Sequence, residues 1–325
     1  MYSIETENLK KTFVEGKERI EALRGVDLHI EKNQVFGLLG PNGAGKTTTI
    51  HVLSTLIFPT SGKAKVLGYD ITKEKEKIRK KIGVCFSGTR FSFDKKPPEI
   101  LEYYGRLFGI EKQERKKRIK KLIEDLDITP FQNKVFGYLS TGMRQKIAVA
   151  KSLINEPEVL FLDEPTAGLD VEVAIIVRKY ILKELKEREM TVLLTSHHLN
   201  EVEEMCKNMA IINQGKIVTV GDIKSIRKKL EFPDIIHLYL SDYKNLGFLK
   251  KVEGVIDYNI NDGLFIKTKD GLSVLKKIET LLNKSGIKIK DVEIRKASLE
   301  EMFLKIIGAD IKPDRKEEVE EEHYD

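Results

Sequence analysis

The segment Gly40-Pro41-Asn42-Gly43-Ala44-Gly45-Lys46-Thr47-Thr48 constrains this chain more than any other, because it joins the short apolar run Val35 to Leu39 to a helix-forming stretch. The pattern G-x-x-x-x-G-K-[ST] between a strand and a helix start lets backbone N–H groups wrap a polyphosphate at the positive end of the helix dipole. In that arrangement Lys46 reaches the outer phosphates and the Thr47 hydroxyl holds Mg²⁺. A loop of this kind lies beyond the carboxyl end of a strand in an α/β sheet. Val159 to Leu162 and Thr191 to Leu194 are two more short apolar runs closed by polar residues, as expected of central strands buried on both faces. Strand–helix alternation from the amino terminus to about Gly221 therefore predicts a largely parallel sheet.

A length of 325 residues suits two domains, each large enough to bury its own core. Apolar runs are only a few residues long, so no bilayer-spanning segment is expected. The start MYSIETENLK lacks the basic-then-apolar pattern of a signal peptide, so the chain is expected to stay in the cytoplasm. Cys85 and Cys206 cannot build a disulfide framework, and both are expected to be buried apolar side chains. The formal net charge is +6, yet Asp314 to Asp325 alone carry seven acids and two bases, leaving +11 on the body. The lysines fall in Glu-interleaved runs such as Lys73 to Lys81, which solvated helix faces explain at least as well as an anionic partner does.

Between the core strands, about 89–155, lies a segment of different character. There Ile119, Leu122, Ile123 and Leu126 mark one amphipathic helix within a helical insertion. Beyond a basic connecting helix, strands are expected at Ile235 to Leu240, Val255 to Ile260, Leu264 to Thr268 and Ile287 to Ile294. Helices are expected over Tyr243 to Val252 and Leu272 to Ser285, with Asn261-Asp262-Gly263 as a tight turn. This β-α-β-β-α-β order is that of a ferredoxin-like unit. Ser298 and Glu301 form a capping box for a last helix ending at Gly308, and the acidic stretch after it is expected to be disordered.

Two further motifs carry chemistry. Val159-Leu160-Phe161-Leu162 delivers Asp163 and Glu164 to a strand end, where Asp163 would bind Mg²⁺ and Glu164 would polarise a water attacking the γ-phosphate. Leu139-Ser140-Thr141-Gly142-Met143-Arg144-Gln145 opens a helix, and alone would be only an N-cap serine plus a glycine. With the phosphate loop and the two acids, this set resembles the nucleotide-binding subunit of the ATP-binding cassette (ABC) transporters, over about residues 2–221. Ala297-Ser298-Leu299-Glu300-Glu301-Met302-Phe303 resembles the closing helix of the accessory domain in drug- and polymer-exporting, ABC-2 type members.

The resemblance implies an α/β fold: a P-loop NTPase of ABC type over 1–221, with a helical subdomain at about 89–155. A small α+β accessory domain, 222–308, and the acidic tail, 309–325, follow. Two such subunits clamp two ATP molecules head to tail, each held between the phosphate loop of one and Ser140, Thr141 and Gly142 of the other. Phe13 matches the aromatic that stacks on adenine, Asp170 in Ala167-Gly168-Leu169-Asp170 the dimer-contacting loop, and His197 the switch histidine at the γ-phosphate. Lys46, Glu164 and His197 become the catalytic set, with Gly40, Pro41, Asn42, Gly43, Ala44, Gly45, Thr47 and Thr48 around the phosphates and Thr47 and Asp163 on Mg²⁺. The implied partners are a separately encoded membrane permease and a second ATPase subunit, giving a homodimer on the cytoplasmic face of the membrane; no nucleic acid is expected.

This sequence departs from the family where a glutamine should follow Ile82 to Phe86: it has Ser87 and Gly88. Thr141 and Met143 also replace commoner residues of the signature. The aromatics Phe91, Phe93, Tyr103 and Tyr104 fit either a docking surface for the permease or the core of the helical insertion. Two other functions compete with the transport ATPase: a soluble cassette acting on the ribosome or nucleic acid, and a nucleotide-gated regulator with weak hydrolysis.

Overall fold

The computed structural model describes residues 1–196, 199–229, 232–296 and 298–308. The chain divides into two compact units, Met1–Ile226 and Arg227–Asp325. The first begins with β1 (Tyr2–Glu15), β2 (Glu18–Glu31), β3 (Val35–Leu39), α1 (Lys46–Leu53), β4 (Ser61–Val66), β5 (Tyr69–Asp70), α2 (Lys75–Lys81) and β6 (Ile82–Phe86). The helical segment contributes α3 (Pro97–Leu107), α4 (Lys112–Asp125) and α5 (Thr141–Leu153). The unit returns to the sheet through β7 (Val159–Asp163), α6 (Val171–Arg188), β8 (Thr191–Ser196), α7 (Leu199–Met205), β9 (Asn208–Asn213) and β10 (Lys216–Gly221), and α8 (Ile223–Lys229) follows.

The central sheet runs β10-β9-β3-β8-β7-β6, with every neighbouring pair parallel except β9–β10. All residues of β3, β7 and β8 are buried, as continuous apolar runs covered on both faces require. The phosphate loop leaves β3, the two acids lie at the end of β7, and both sit at the carboxyl edge of parallel strands separated only by β8.

Strand–helix alternation does not begin at the amino terminus. The first helix is α1, and β2-β1-β4-β5 form a separate antiparallel sheet. Its strands are half-buried: in β2, Leu23, Val26, Leu28 and Ile30 face inward while charged residues between them face water. That mixed pattern lacks the uninterrupted apolar run that marks the central strands. Ile4, Leu28 and Ile30 from this sheet share one core with Phe36, Leu38, Ile50 and Leu53. At about 1.5–3 kcal/mol per large apolar side chain buried, this core anchors the loop that starts at Gly40.

The helical segment is realised as three α-helices and two short 3-10 turns, Thr129–Phe131 and Phe136–Tyr138. Ile119, Leu122 and Ile123 of α4 and the following Leu126 are buried, as their spacing predicts. Arg115 of α4 donates to both carboxylate oxygens of Glu102 on α3, at 2.8 and 2.9 Å. This hydrogen-bonded pair holds the Glu102 carboxyl down to about 2. Cys85 and Cys206 are both buried free thiols; burial pushes Cys85 up to about 12 and Cys206 higher still.

The second unit contains β11 (Asp234–Leu240), a 3-10 turn (Leu246–Lys251), β12 (Val255–Asn261), β13 (Gly263–Thr268), α9 (Gly271–Lys284), β14 (Ile289–Arg295) and α10 (Leu299–Ile307). Its antiparallel sheet runs β12-β13-β11-β14, with Ile236, Leu238, Leu264 and Ile266 packed with Val274, Ile278 and Leu282 of α9. The helix expected over Tyr243 to Val252 is replaced by the 3-10 turn. Its buried residues Leu246 and Leu249 recur every three positions, the period of that tighter helix, and Asn245 enters it at φ 57°. Ser298 and Glu301 cap each other as a capping box: the Ser298 N–H donates to Glu301 Oε2 at 2.8 Å, and the Glu301 N–H to Ser298 Oγ at 3.2 Å. The acidic tail expected to be disordered lies outside the described residues.

Candidate functional site

Backbone geometry explains why the loop needs glycine. At Gly40 a Cβ would stand 2.4 Å from the Ile212 carbonyl oxygen. Gly45 caps α1 at φ 108°, and a Cβ there would meet the Ala22 carbonyl at 2.7 Å. No side chain caps α1 and its first turn holds no acid, so the N–H groups of that turn remain available to an anion.

Lys46 is buried beneath the loop, its Nζ donating to the carbonyls of Gly40 at 2.8 Å and Pro41 at 3.3 Å. It also stands 3.5 Å from Glu164 Oε1. Thr47 Oγ1 contacts Asp163 Oδ1 at 3.1 Å and Oδ2 at 2.9 Å. Loop, helix start and β7 terminus thus converge on one place. Together with Phe13 and the rest of the phosphate loop, Glu164 lines a cleft of about 610 Å³. Phe13, 40% exposed, stands on the cleft wall and is paired in register with Ile20 on β2. The cleft is polar along the loop and apolar at Phe13 and Ile20, the pattern a nucleotide presents from phosphate to base.

Glu164 has a φ of 50°, a left-handed backbone that a non-glycine residue adopts only when its surroundings hold it there. Its N–H donates to the Thr195 carbonyl at 3.0 Å and lies 3.2 Å from Thr195 Oγ1. The contact points of Thr47, Asp163 and Thr195 are all hard oxygens. Such a set fits Mg²⁺, which takes one or two carboxylate or hydroxyl ligands and completes its octahedron with water and substrate phosphates. Among the described residues no group of three or more His, Cys, Asp or Glu side chains forms an all-protein metal cage.

Ser140, Thr141 and Gly142 are placed elsewhere: they start α5 and do not line the cleft. Ser140 is the N-cap, its Oγ accepting from the Met143 N–H at 3.3 Å, and Ser140 and Thr141 are exposed. Gly142 lies against Val173 at the start of α6, whose N-cap is Asp170 without a side-chain cap bond. The signature and the Asp170 loop are therefore neighbours. His197 and its neighbour His198 lie outside the described residues. Ser87 is exposed, and its N–H donates to the Asp163 carbonyl at 3.0 Å, so a backbone bond anchors the segment that lacks the glutamine to the acid-bearing strand. The aromatics of the helical segment divide by burial. Phe91 is buried against Tyr104 and Phe136, whereas Phe93 and Tyr103 are about 60% exposed.

Motif reading missed Thr195, Arg19, Ile20 and Gln214. Thr195 directly follows the apolar run of β8, which is the only hint of it; the other three line the cleft from elements outside any motif.

Comparison with known proteins agrees with this geometry. The family described as "ABC transporter" matches residues 23–167. The ABC transporter ATP-binding protein NatA of Bacillus subtilis is 36% identical over 232 residues, 71% of this chain and 94% of that protein. The linearmycin resistance ATP-binding protein LnrL of the same organism is 32% identical over 94% of this chain and 98% of its own length. A dimeric ATP-binding cassette solved in a post-hydrolysis state with ADP and Pi superposes with a TM-score of 0.63 at 25% identity, covering 68% of this chain and 98% of that one. The chain belongs to the ABC transporter family as an ATP-binding subunit. It is an ATP hydrolase coupled to transport.

Proposed function

We propose that this chain powers a separately encoded membrane permease acting as an exporter, and does so as an ATP-driven dimer at the cytoplasmic face of the membrane. No helix among the described residues is long and apolar enough to cross a membrane; in this reading the passage for cargo is the permease's. Similar proteins bear the names daunorubicin resistance, linearmycin resistance and bacitracin transport ATP-binding proteins. This chain spans 98% of the linearmycin and 97% of the bacitracin protein, but 72% of a methionine import relative, which favours export.

Residues 1–221 act as the ATPase domain, with the helical subdomain at 89–155, and 222–308 act as an accessory domain supporting the pair. The phosphates lie over Gly40 to Thr48, with Lys46 moving from the loop carbonyls to the outer phosphates. Thr47 and Asp163 would hold Mg²⁺, which would supply positive charge to the polyphosphate. Glu164 accepts a proton from water as its oxygen bonds to the γ-phosphorus and the bond to ADP breaks. His197 contacts the γ-phosphate, Phe13 stacks on adenine, and Asp170 meets the second subunit.

The observation that carries this reading is the separation of Ser140, Thr141 and Gly142 from the cleft they should complete. An exposed helix start of this kind is an anion-binding surface, and a second copy presenting it closes the site. Isolation of the tagged chain from solubilised membranes is expected to bring down a multispanning membrane protein. Recovery with ribosomes, or salt-sensitive retention on DNA, would reject the transport role in favour of a soluble cassette.

A further inference from the structure

Thr195 stands at the end of β8, directly opposite Asp163 in the parallel β7–β8 register, and is fully buried. Its Oγ1 donates to Asp163 Oδ1 at 2.6 Å. The Leu162 carbonyl lies 3.4 Å away, so the single hydroxyl proton is committed to the carboxylate. The same oxygen lies 3.2 Å from the Glu164 N–H, which also donates to the Thr195 carbonyl at 3.0 Å. One residue thereby touches both acids that the reaction needs.

The consequence follows from what else grips Asp163. Thr47 Oγ1 contacts both carboxylate oxygens, 3.1 and 2.9 Å away. Left to Thr47 alone, the carboxylate could turn about its bond to Cβ, and the loop hydroxyl would follow it. With Oδ1 tied to Thr195, Oδ2 is kept facing Thr47, where a cation has to sit. Meanwhile the paired bonds from the Glu164 N–H to Thr195 hold the left-handed backbone at φ 50°.

We propose that Thr195 is a positioning residue for Mg²⁺: its hydroxyl presets Asp163 for the metal and, through the Glu164 N–H, the direction in which Glu164 leaves the sheet. Outer partners of this type typically govern metal affinity by 10–100-fold. The proposal rests on the assignment of Asp163 to the metal made above.

The test uses the full chain and the binding of a fluorescent trinitrophenyl-ATP, titrated with Mg²⁺ and separately measured in EDTA. Thr195→Val keeps the shape and removes the hydroxyl. It is expected to raise the Mg²⁺ concentration needed for half-maximal binding enhancement about tenfold, with affinity in EDTA unchanged. Thr195→Ser restores the hydroxyl and is expected to restore the unsubstituted curve. A folded Thr195→Val protein with an unshifted Mg²⁺ curve would overturn the proposal, as would a Thr195→Ser protein shifted as far as the valine variant. If the valine variant does not fold, Thr195→Ala against Thr195→Ser makes the same comparison. Asp163→Asn separates the two levels. If it too leaves the Mg²⁺ curve unmoved, the assignment of Asp163 itself fails, whereas a shift there with none at Thr195→Val removes only the positioning role.

Discussion

The phosphate-loop surface of the first unit and the signature surface proposed to meet a second copy's ATP are built in opposite ways. On the phosphate-loop side, Lys46, Thr47, Asp163, Glu164 and Thr195 are tied to one another and to the loop carbonyls, and most of them are buried. On the signature side, Ser140 and Thr141 face outward at a helix start where Ser140 Oγ accepts a cap bond from the Met143 N–H. In the proposed dimer, one surface is assembled before its ligand arrives, and the other receives a ligand that the second copy brings. An active site divided in this way would make hydrolysis conditional on pairing.

The comparison is broken most severely by Lys46→Ala, which removes the buried ammonium from the preassembled side. Steady-state ATPase is expected to fall by about 10²–10³-fold or more, with weaker nucleotide binding. Gly142→Asp attacks the other side by placing a carboxylate on the face proposed to meet the second copy's phosphates. Hydrolysis is expected to fall about 10²-fold while nucleotide affinity of the isolated chain stays within about twofold. Equal loss of nucleotide affinity in both variants would erase the proposed division of labour.

Smaller effects sharpen the same contrast. Phe13→Ala removes a ring from the cleft wall and is expected to weaken ATP binding about tenfold, as loss of one base–aromatic stack does, without changing the turnover of bound ATP. Glu102→Gln loosens the scaffold that carries the signature helix, since Arg115 is buried and loses its charged partner. Because Glu102 titrates near 2 when folded and near 4.5 when unfolded, its contribution is present above about pH 4.5 and is lost as the pH falls through about 2. At neutral pH the variant is expected to lose about 1 kcal/mol, or roughly 2–4 °C of Tm, the deficit closing between those two pH values.

What was legible in the sequence follows the density of physical constraint. The phosphate loop and the Asp163-Glu164 terminus could be read because a polyphosphate fixes glycine, lysine and carboxylate spacings within a few residues. The buried strands were equally visible, since faces covered on both sides leave continuous apolar runs. The antiparallel sheet of β1, β2, β4 and β5 was not, because half-buried strands with charged outer faces resemble exposed loops. The 3-10 turn at Leu246–Lys251 within the helix expected over Tyr243 to Val252 is hidden for a related reason: two buried leucines three apart fit either helical period. Thr195 escaped because its role depends on pairing between strands 32 residues apart in the chain, a register that no local motif records.

The central claim is that ATP is gripped between two copies of this chain. The most direct measurement is the solution mass of Glu164→Gln in ATP and Mg²⁺, where loss of the proton acceptor leaves the clamp intact. The 37.2 kDa chain is expected to run at about twice that mass with nucleotide, and to return to a monomer when Gly142→Asp is added. A Glu164→Gln protein that stays monomeric at saturating ATP and Mg²⁺, or a dimer indifferent to Gly142→Asp, would contradict the account.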